Sequence, residues 1–363
     1  MFDLDTLLAH AVASGASDVH LKSEHKPFFR ISRQLMEVDI PPIGAADLVE
    51  VLNNILPKHL VAAFNRAHEA DFSYHSTGIG RFRINAYLAQ GVPVIAMRHV
   101  KTQIPSIAEL NMPPVLERIA MARRGIVIIS GTTGSGKSTT LAAIIEFLNQ
   151  RERRRIETVE DPIEYLFEDK TSVITQREIG LDTQSFESAL KHILRHDPDV
   201  VMIGEMRDTT TFKTALAAAE TGHLVLTTLH AGNSSVAIHR LMELVPHEEW
   251  DRTRMVLAST LQAIVCQRLI KSEKAGVVPA AEVLVNTHTV SKLIESNKLE
   301  TIPEAVETGS DDGMQSFNQS ILRLIQQGFI TEDEGMKYAT NPGQLRMSLQ
   351  GINLNVGRRI LVR

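Results

Sequence analysis

Cysteine is almost missing from this chain. Its 363 residues include one, Cys266, which allows no internal disulfide and no cysteine-rich zinc site and points to a reducing compartment. Long apolar runs are missing as well. Stretches such as Gly125-Ile126-Val127-Ile128-Ile129 fall far short of the ~20 residues that cross a bilayer. The opening Met1-Phe2-Asp3-Leu4-Asp5 is acidic and lacks the basic-then-apolar pattern of an export signal, so a cytoplasmic protein is expected. Nor is there a surplus of positive charge. Thirty-eight Lys+Arg against 43 Asp+Glu leave −5, with no basic aromatic stripe, so no nucleic-acid partner is expected. Repeats and low-complexity tracts are absent from the sequence too. What remains is a chain of ordinary soluble composition, 43% hydrophobic and 22% charged, and long enough that two domains are expected.

The first hundred residues read as α+β. Leu4–Val12 has helical spacing, Ser17–Leu21 and Phe28–Ile31 read as strands, and Asp47–Phe64 reads as one long helix after Pro41-Pro42. Asp71–Tyr74, Arg81–Ala86 and Val92–Val100 read as further strands, the first two joined by the turn Thr77-Gly78-Ile79-Gly80. The proline-bearing stretch 104–114 is the expected linker, because prolines at that density suit neither helix nor central strand. Beyond it, strands at Ile126–Ser130, Arg154–Glu160, Val200–Ile203 and Leu224–Leu229 alternate with helices at Lys137–Leu148, Phe186–His196 and Thr210–Thr221. That alternation predicts a mostly parallel sheet covered on both faces. From Trp250 onward the reading is mainly helical, residues 346–363 are expected to form a C-terminal tail, and its last dozen residues are expected to be mobile.

The strongest chemical signal is Gly131-Thr132-Thr133-Gly134-Ser135-Gly136-Lys137-Ser138, followed by Thr139. It fits G-x-x-x-x-G-K-[ST] at every fixed position, with a strand before it and a helix after it. Glycines let successive main-chain N–H groups turn inward on a phosphate, and the helix adds its positive N-terminal end. Lys137 then supplies charge to the β- and γ-phosphates, and Ser138 offers a hydroxyl to Mg²⁺. The chain is expected to bind ATP with Mg²⁺.

Val200-Val201-Met202-Ile203-Gly204-Glu205 is an apolar strand running into a carboxylate, the arrangement that sets an acid beside Mg²⁺, partly through water. Glu160-Asp161-Pro162-Ile163-Glu164 follows another strand, and one of its acids could orient or deprotonate the attacking water. His223 and His230 bracket the strand Leu224–Leu229; as a pair they could sense the γ-phosphate, although a lone histidine at a strand end is more often structural. Arg81, Arg83 and Asn85 alternate with Phe82, Ile84 and Ala86, so both arginines share a strand face, and Arg98 ends the next strand. On spacing alone these arginines read as a solvated basic face. The alternative is a set of arginine fingers for a phosphate bound elsewhere.

Five motifs in order then resemble the type II/IV secretion ATPases, within them the PilT/PilU group of type IV pilus retraction motors. They are the glycine loop 131–139, Val159–Glu164, Gly204-Glu205-Met206-Arg207-Asp208, Ala219-Glu220-Thr221-Gly222-His223 and Leu226-Thr227-Thr228-Leu229-His230. The resemblance runs from Ser17-Asp18-Val19-His20 to Gly313-Met314-Gln315-Ser316-Phe317. It implies an α/β chain with a PAS-like N-terminal α+β domain (1–103) and a RecA-like P-loop ATPase domain with C-terminal helices (115–345). It implies Glu164 as general base, Glu205 as the Walker B acid, His223 and His230 as a histidine box, and Arg81, Arg83 and Arg98 as groups that approach ATP. It also implies a homo-hexameric ring at the cytoplasmic face of the inner membrane. The implied partners are a platform protein, pilin through it, and a paralogous retraction ATPase.

Two departures qualify the resemblance. Thr132 stands where the family usually has proline, a position that works through backbone. The retraction-specific Ala-Ile-Arg-Asn-Leu-Ile motif aligns with Thr289-Val290-Ser291-Lys292-Leu293-Ile294, where only the closing Leu-Ile survives, which moves weight towards a PilU-like or divergent paralogue. Three rivals are a pilus-assembly or type II secretion ATPase, a DNA-translocating RecA-like motor, and a non-hydrolysing partner of a paralogue. The first commonly carries a longer N-terminal extension and a four-cysteine zinc module, the second needs clustered Lys/Arg, and the third does not need every catalytic position filled.

Overall fold

The computed structural model describes residues 2–31, 34–100 and 103–352. The chain divides into two compact units. One comprises residues 1–103 with 162–166 and 178–182; the other comprises 104–161, 167–177 and 183 onward.

The first unit is built on a six-stranded antiparallel sheet. Its strands are β1 (Asp18–Lys22), β2 (Phe28–Ile31), β3 (Gln34–Glu37), β4 (Glu69–Ser76), β5 (Gly80–Ala89) and β6 (Val92–His99), in the order β3-β2-β1-β6-β5-β4. Period-two patterning decides the faces. Phe82, Ile84 and Ala86 of β5 are fully buried with Ile95 and Met97 of β6, and the helices Leu4–Ala13 and Ala45–Ile55 contribute Leu8, Leu48 and Leu52 to the same core. Truncating a side chain such as Phe82 to alanine in so closed a core costs about 3–5 kcal/mol. The long helix expected over 47–64 is two helices, Ala45–Ile55 and Val61–Ala67. Pro57 explains the break: the residue before a proline is driven out of the helical region, and Leu56 is extended at ψ 121°.

The second unit has a seven-stranded sheet. Its strands are β7 (Gly125–Gly131), β8 (Arg155–Glu160), β9 (Val173–Glu178), β10 (Val200–Ile203), β11 (Leu224–Leu229), β12 (Leu261–Ser272) and β13 (Gly276–Val285). They lie in the order β13-β12-β7-β11-β10-β8-β9, with β12, β7, β11, β10 and β8 mutually parallel and β13 antiparallel to β12. Helices such as Lys137–Arg151 and Thr209–Glu220 pack apolar side chains onto this sheet. This is the RecA-like arrangement.

Three expectations are corrected here. The region after Trp250 is not mainly helical from its start: β12 and β13 form a long hairpin, and β12 pairs in parallel with β7. Its residues are buried on both faces, so the apolar run carries no alternation to mark it as strand. Residues 104–114 are not a free linker, since Ile107 and Met112 are buried in the core of the second unit. The expected tail begins within the helix Pro342–Leu349, and residues 353–363 lie outside the described residues.

Candidate functional site

Register places the chemistry along one edge of the second unit's sheet. Leu229 pairs with Ser130, Ile203 with Thr227, and Ile203 with Val159, so the C-terminal ends of β7, β11, β10 and β8 are level. The glycine loop, His230, Glu205 and Glu160 all follow from that edge, where ligands of open parallel sheets bind.

The loop itself is shaped by glycine. Gly131, at φ 151°, lies so close to its neighbours that a Cβ there would meet Ser135 Oγ at 2.5 Å and the Gln267 carbonyl oxygen of β12 at 2.6 Å. Gly136 takes φ 90° as the residue before the helix Lys137–Arg151, whose first N–H groups therefore open towards the loop. Lys137 folds back on that loop, its Nζ donating to the carbonyls of Gly131 at 3.0 Å and Thr132 at 3.1 Å. Ser135 Oγ and Gln267 Oε1 are buried with no hydrogen-bond partner, while Gln267 Nε2 donates to Thr140 Oγ1 at 2.9 Å.

The carboxylate at the end of β10 is hung between two strands. Gly204 N–H donates to Val159 O at 2.8 Å, Thr228 Oγ1 donates to Gly204 O at 2.7 Å, and Met206 N–H donates to Thr228 O at 3.1 Å. Glycine at 204 fits a close approach, since a Cβ would stand 3.3 Å from Val159 O. Glu205 thereby meets two nitrogen partners: His230 Nε2 at 3.2 Å and the Arg207 guanidinium Nη2 at 2.6 Å. The carboxylate and its charge in turn push the Arg207 guanidinium's pKa upward. His230 is fixed from behind. Ser130 Oγ accepts the Ala231 N–H at 2.9 Å, and the Arg240 guanidinium donates to the His230 carbonyl.

His223 is elsewhere. It precedes β11 at the edge where Leu224 pairs with Gly125, and its Nδ1 lies 3.0 Å from Ala218 O. One whole strand, roughly 20 Å at 3.3 Å per residue, separates it from His230, so the two histidines do not meet on one phosphate within this chain. Glu160 is buried and accepts Thr158 Oγ1 at 2.7 Å and Gln176 Nε2 at 3.1 Å. Asp161 is exposed.

The remaining candidates belong to the first unit. Arg81 is paired with Glu178 at 3.0 Å, and its side chain is only 16% exposed. Arg83 and Arg98 are direct cross-strand neighbours on the solvent-facing side of β5 and β6. Arg98 holds Asp18 Oδ1 at 2.9 Å, and Arg83 makes no ion pair among the described residues. Together with Asp18, His20, Asp71 and Asn85 they line a cavity of about 300 Å³. Burial is the largest influence on His20 and lowers its pKa. Glu164 is exposed in the segment 162–166.

Sequence reasoning missed Arg207, Gln267, Asp18 and Glu178 as functional neighbours. Arg207 carried a readable signal, since it is the cation of the motif Gly204–Asp208 that holds Glu205. Gln267 had none, because its strand reads as helix.

The donors on the loop edge fit a hard cation. Ser138 supplies a hydroxyl and Glu205 a carboxylate, and Mg²⁺ takes only one or two protein oxygens, leaving the rest of its octahedron to phosphate and water. Among the described residues no cluster of three or more His, Cys, Asp or Glu would hold a metal unaided. No helix among them is long and apolar enough to cross a membrane.

Comparison with known proteins agrees with this geometry. The chain is 36% identical to the type IV pilus ATPase PilU of Pseudomonas aeruginosa over 349 residues, covering 96% of this chain and 91% of that protein. It is also 36% identical to the type IV pilus retraction ATPase PilT of the same organism, covering 94% and 99%. The crystal structure of the pilus retraction motor PilT with bound ADP superposes with a TM-score of 0.88 at 36% identity, covering 94% of this chain and 98% of that one. Residues 2–337 match the family described as Type II/IV secretion system protein. A phosphate loop and a strand-end carboxylate on one sheet edge, within a match that runs almost the full length, leave one assignment: the chain is a member of the type II/IV secretion system protein family.

Proposed function

We propose that this chain is the ATPase of a type IV pilus retraction machine, working as a Mg²⁺-dependent homo-hexameric ring on an inner-membrane platform protein and through it on pilin. The observation that carries the reading is the near-complete, 36% identical match to the retraction ATPase PilT. The loop edge supplies chemistry consistent with it.

In this reading Lys137 turns from its own loop carbonyls to the β- and γ-phosphates, and main-chain N–H groups of 131–139 cradle them. Ser138 and Glu205 would hold Mg²⁺, partly through water, where the ion would supply positive charge to the phosphates. His230 and Arg207 set the orientation of Glu205. Glu164 takes a proton from the attacking water, and Arg83 and Arg98 stabilise charge on the transferring phosphoryl group. Arg81, closed against Glu178, acts as a structural cation. His223 is assigned a scaffolding role on the far edge.

The helix His288–Glu295 carries the degenerate retraction motif. Val290 and Ile294 are buried, while Thr289 and Lys292 are exposed. The departures fall on the exposed Thr289 and Lys292, the half-buried Ser291 and the buried Val290, and they support an accessory, PilU-like role beside a paralogous ATPase. The test is a deletion strain. Hyperpiliated cells that do not retract support the proposal, and bald cells support the assembly reading instead. Full retraction by this chain in a strain lacking every other retraction ATPase would refute the accessory role.

A further inference from the structure

Glu178 ends β9, and nothing above gives it a part in the reaction. Its carboxylate is withdrawn from solvent, the residue being 5% exposed, and it accepts three hydrogen bonds. They come from Ser73 Oγ at 2.6 Å, Arg81 Nη2 at 3.0 Å and the main-chain N–H of Ile163 at 3.1 Å. The main chain of Glu178 is braced as well. Glu178 N–H donates to Asp182 Oδ2 at 2.8 Å, and Asp182 N–H returns to Glu178 O at 2.9 Å. Three stretches of chain therefore end on one buried charge: β4, β5 and the segment 162–166. A carboxylate so far from water is tolerated only when paired and hydrogen-bonded, which makes the geometry hard to loosen piecemeal.

Glu164 is the neighbour of Ile163, and its exposed side chain makes no hydrogen bond or ion pair among the described residues. Its position is left to the main chain, and the main chain is pinned at Ile163. Arg83 lies two residues from Arg81 on the same face of β5. We propose that Glu178 is a positioning residue for hydrolysis, a clasp that locks the segment carrying Glu164 to the strand carrying Arg83. The clasp makes base and arginine one rigid body, so that they arrive at a nucleotide together or not at all. This rests on the reading of Glu164 as the base.

The test uses the full chain, with steady-state ATP hydrolysis, binding of a fluorescent nucleotide and hydrogen exchange over 162–166. Glu178→Ala should lower kcat on the order of 100-fold, the effect of a misplacement near 1 Å. KM and nucleotide binding should stay within about twofold, because binding is made elsewhere. Exchange at the Ile163 amide should accelerate. Glu178→Gln keeps an acceptor in place without the charge and should lose about tenfold in kcat; it also serves if the alanine variant does not fold. Combining Arg81→Ala with Glu178→Ala should lose no more than the worse single change, since both break one unit. Wild-type kcat in both Glu178 variants, or unchanged exchange at Ile163, would overturn the clasp. Turnover lost in Glu178→Ala but kept in Glu164→Gln would remove Glu164 as the base while leaving the pinned segment intact.

Discussion

His230 Nε2 lies 3.2 Å from Glu205 Oε1, while Arg207 holds the other oxygen of the same carboxylate at 2.6 Å. Both oxygens are thus oriented by groups that carry or can carry positive charge. Each oxygen keeps a further lone pair, so a metal could reach Glu205 directly or through water with both partners in place. Partners of this kind are worth about 10–100-fold in affinity or activity around metal sites. His230→Ala should therefore lower kcat within that range, and Glu205→Ala should lower it further while changing nucleotide affinity less. Hydrolysis rates across a Mg²⁺ titration check this. A His230→Ala enzyme that matches wild type at every Mg²⁺ concentration would remove His230 from the site.

Lys137 and Glu164 should separate binding from chemistry. Lys137→Ala removes the cation of the phosphate loop and should abolish nucleotide binding or reduce it severely. Glu164→Gln should bind normally and lose about 10²–10⁴-fold in turnover, because an amide does not accept the water's proton. Isothermal titration beside a phosphate-release assay distinguishes the two, and near-normal turnover of Glu164→Gln would unseat the base.

The three arginines should not behave alike. Arg81→Ala leaves the buried Glu178 without its cation and should cost about 3–5 kcal/mol of stability. Arg83→Ala removes an exposed side chain with no ion pair and should leave stability nearly unchanged, yet a lost arginine finger costs ~10³–10⁵ in rate. Thermal melts together with turnover numbers settle the contrast. If Arg83→Ala turns over ATP like wild type, the solvated basic face is the right description.

Acid should loosen the first unit through Asp18. Burial alone would raise its pKa, but hydrogen bonds from Ser17 and Arg98 and the arginine's charge outweigh it, so the net displacement is downward from the ordinary value of 3.8. A carboxylate with a lower pKa in the folded state contributes stability above its unfolded pKa, and that contribution disappears as pH falls through the folded value. Asp18→Asn should thus lower Tm at neutral pH, with the gap to wild type closing as pH drops below about 4. A gap that stays constant down to about pH 3 would show that charge at Asp18 is not what matters.

How much of this was legible in the sequence depended on how local the cause was. The glycine loop was readable as a motif, because its signature lies within eight positions, but the close approach of Gly131 to the Gln267 carbonyl was not. Period two placed Arg81 and Arg83 on one face correctly. It could not show that Arg81 is closed by Glu178, a partner 97 residues away. Spacing already set His223 and His230 at the two ends of one strand, and the structure keeps them at opposite ends of β11. The β12–β13 hairpin was misread because burial on both faces erases the alternation that distinguishes strand from helix.

That hairpin also links the phosphate loop to the helices near the C-terminus. Gly131 and the Gln267 carbonyl are packed so tightly that not even a methyl group fits between them. On its other side the hairpin is fastened by main-chain and near-main-chain links, with Val283 bridged to Gln315 and Ala281 N–H bonded to Ser320 Oγ at 3.1 Å. The helix Phe317–Gln326 is therefore joined to the phosphate loop through β13 and β12 by strand pairing and short links. If the chain drives a filament as proposed, load on that helix would reach the nucleotide loop through few compliant contacts, and the rate of hydrolysis would then respond to tension.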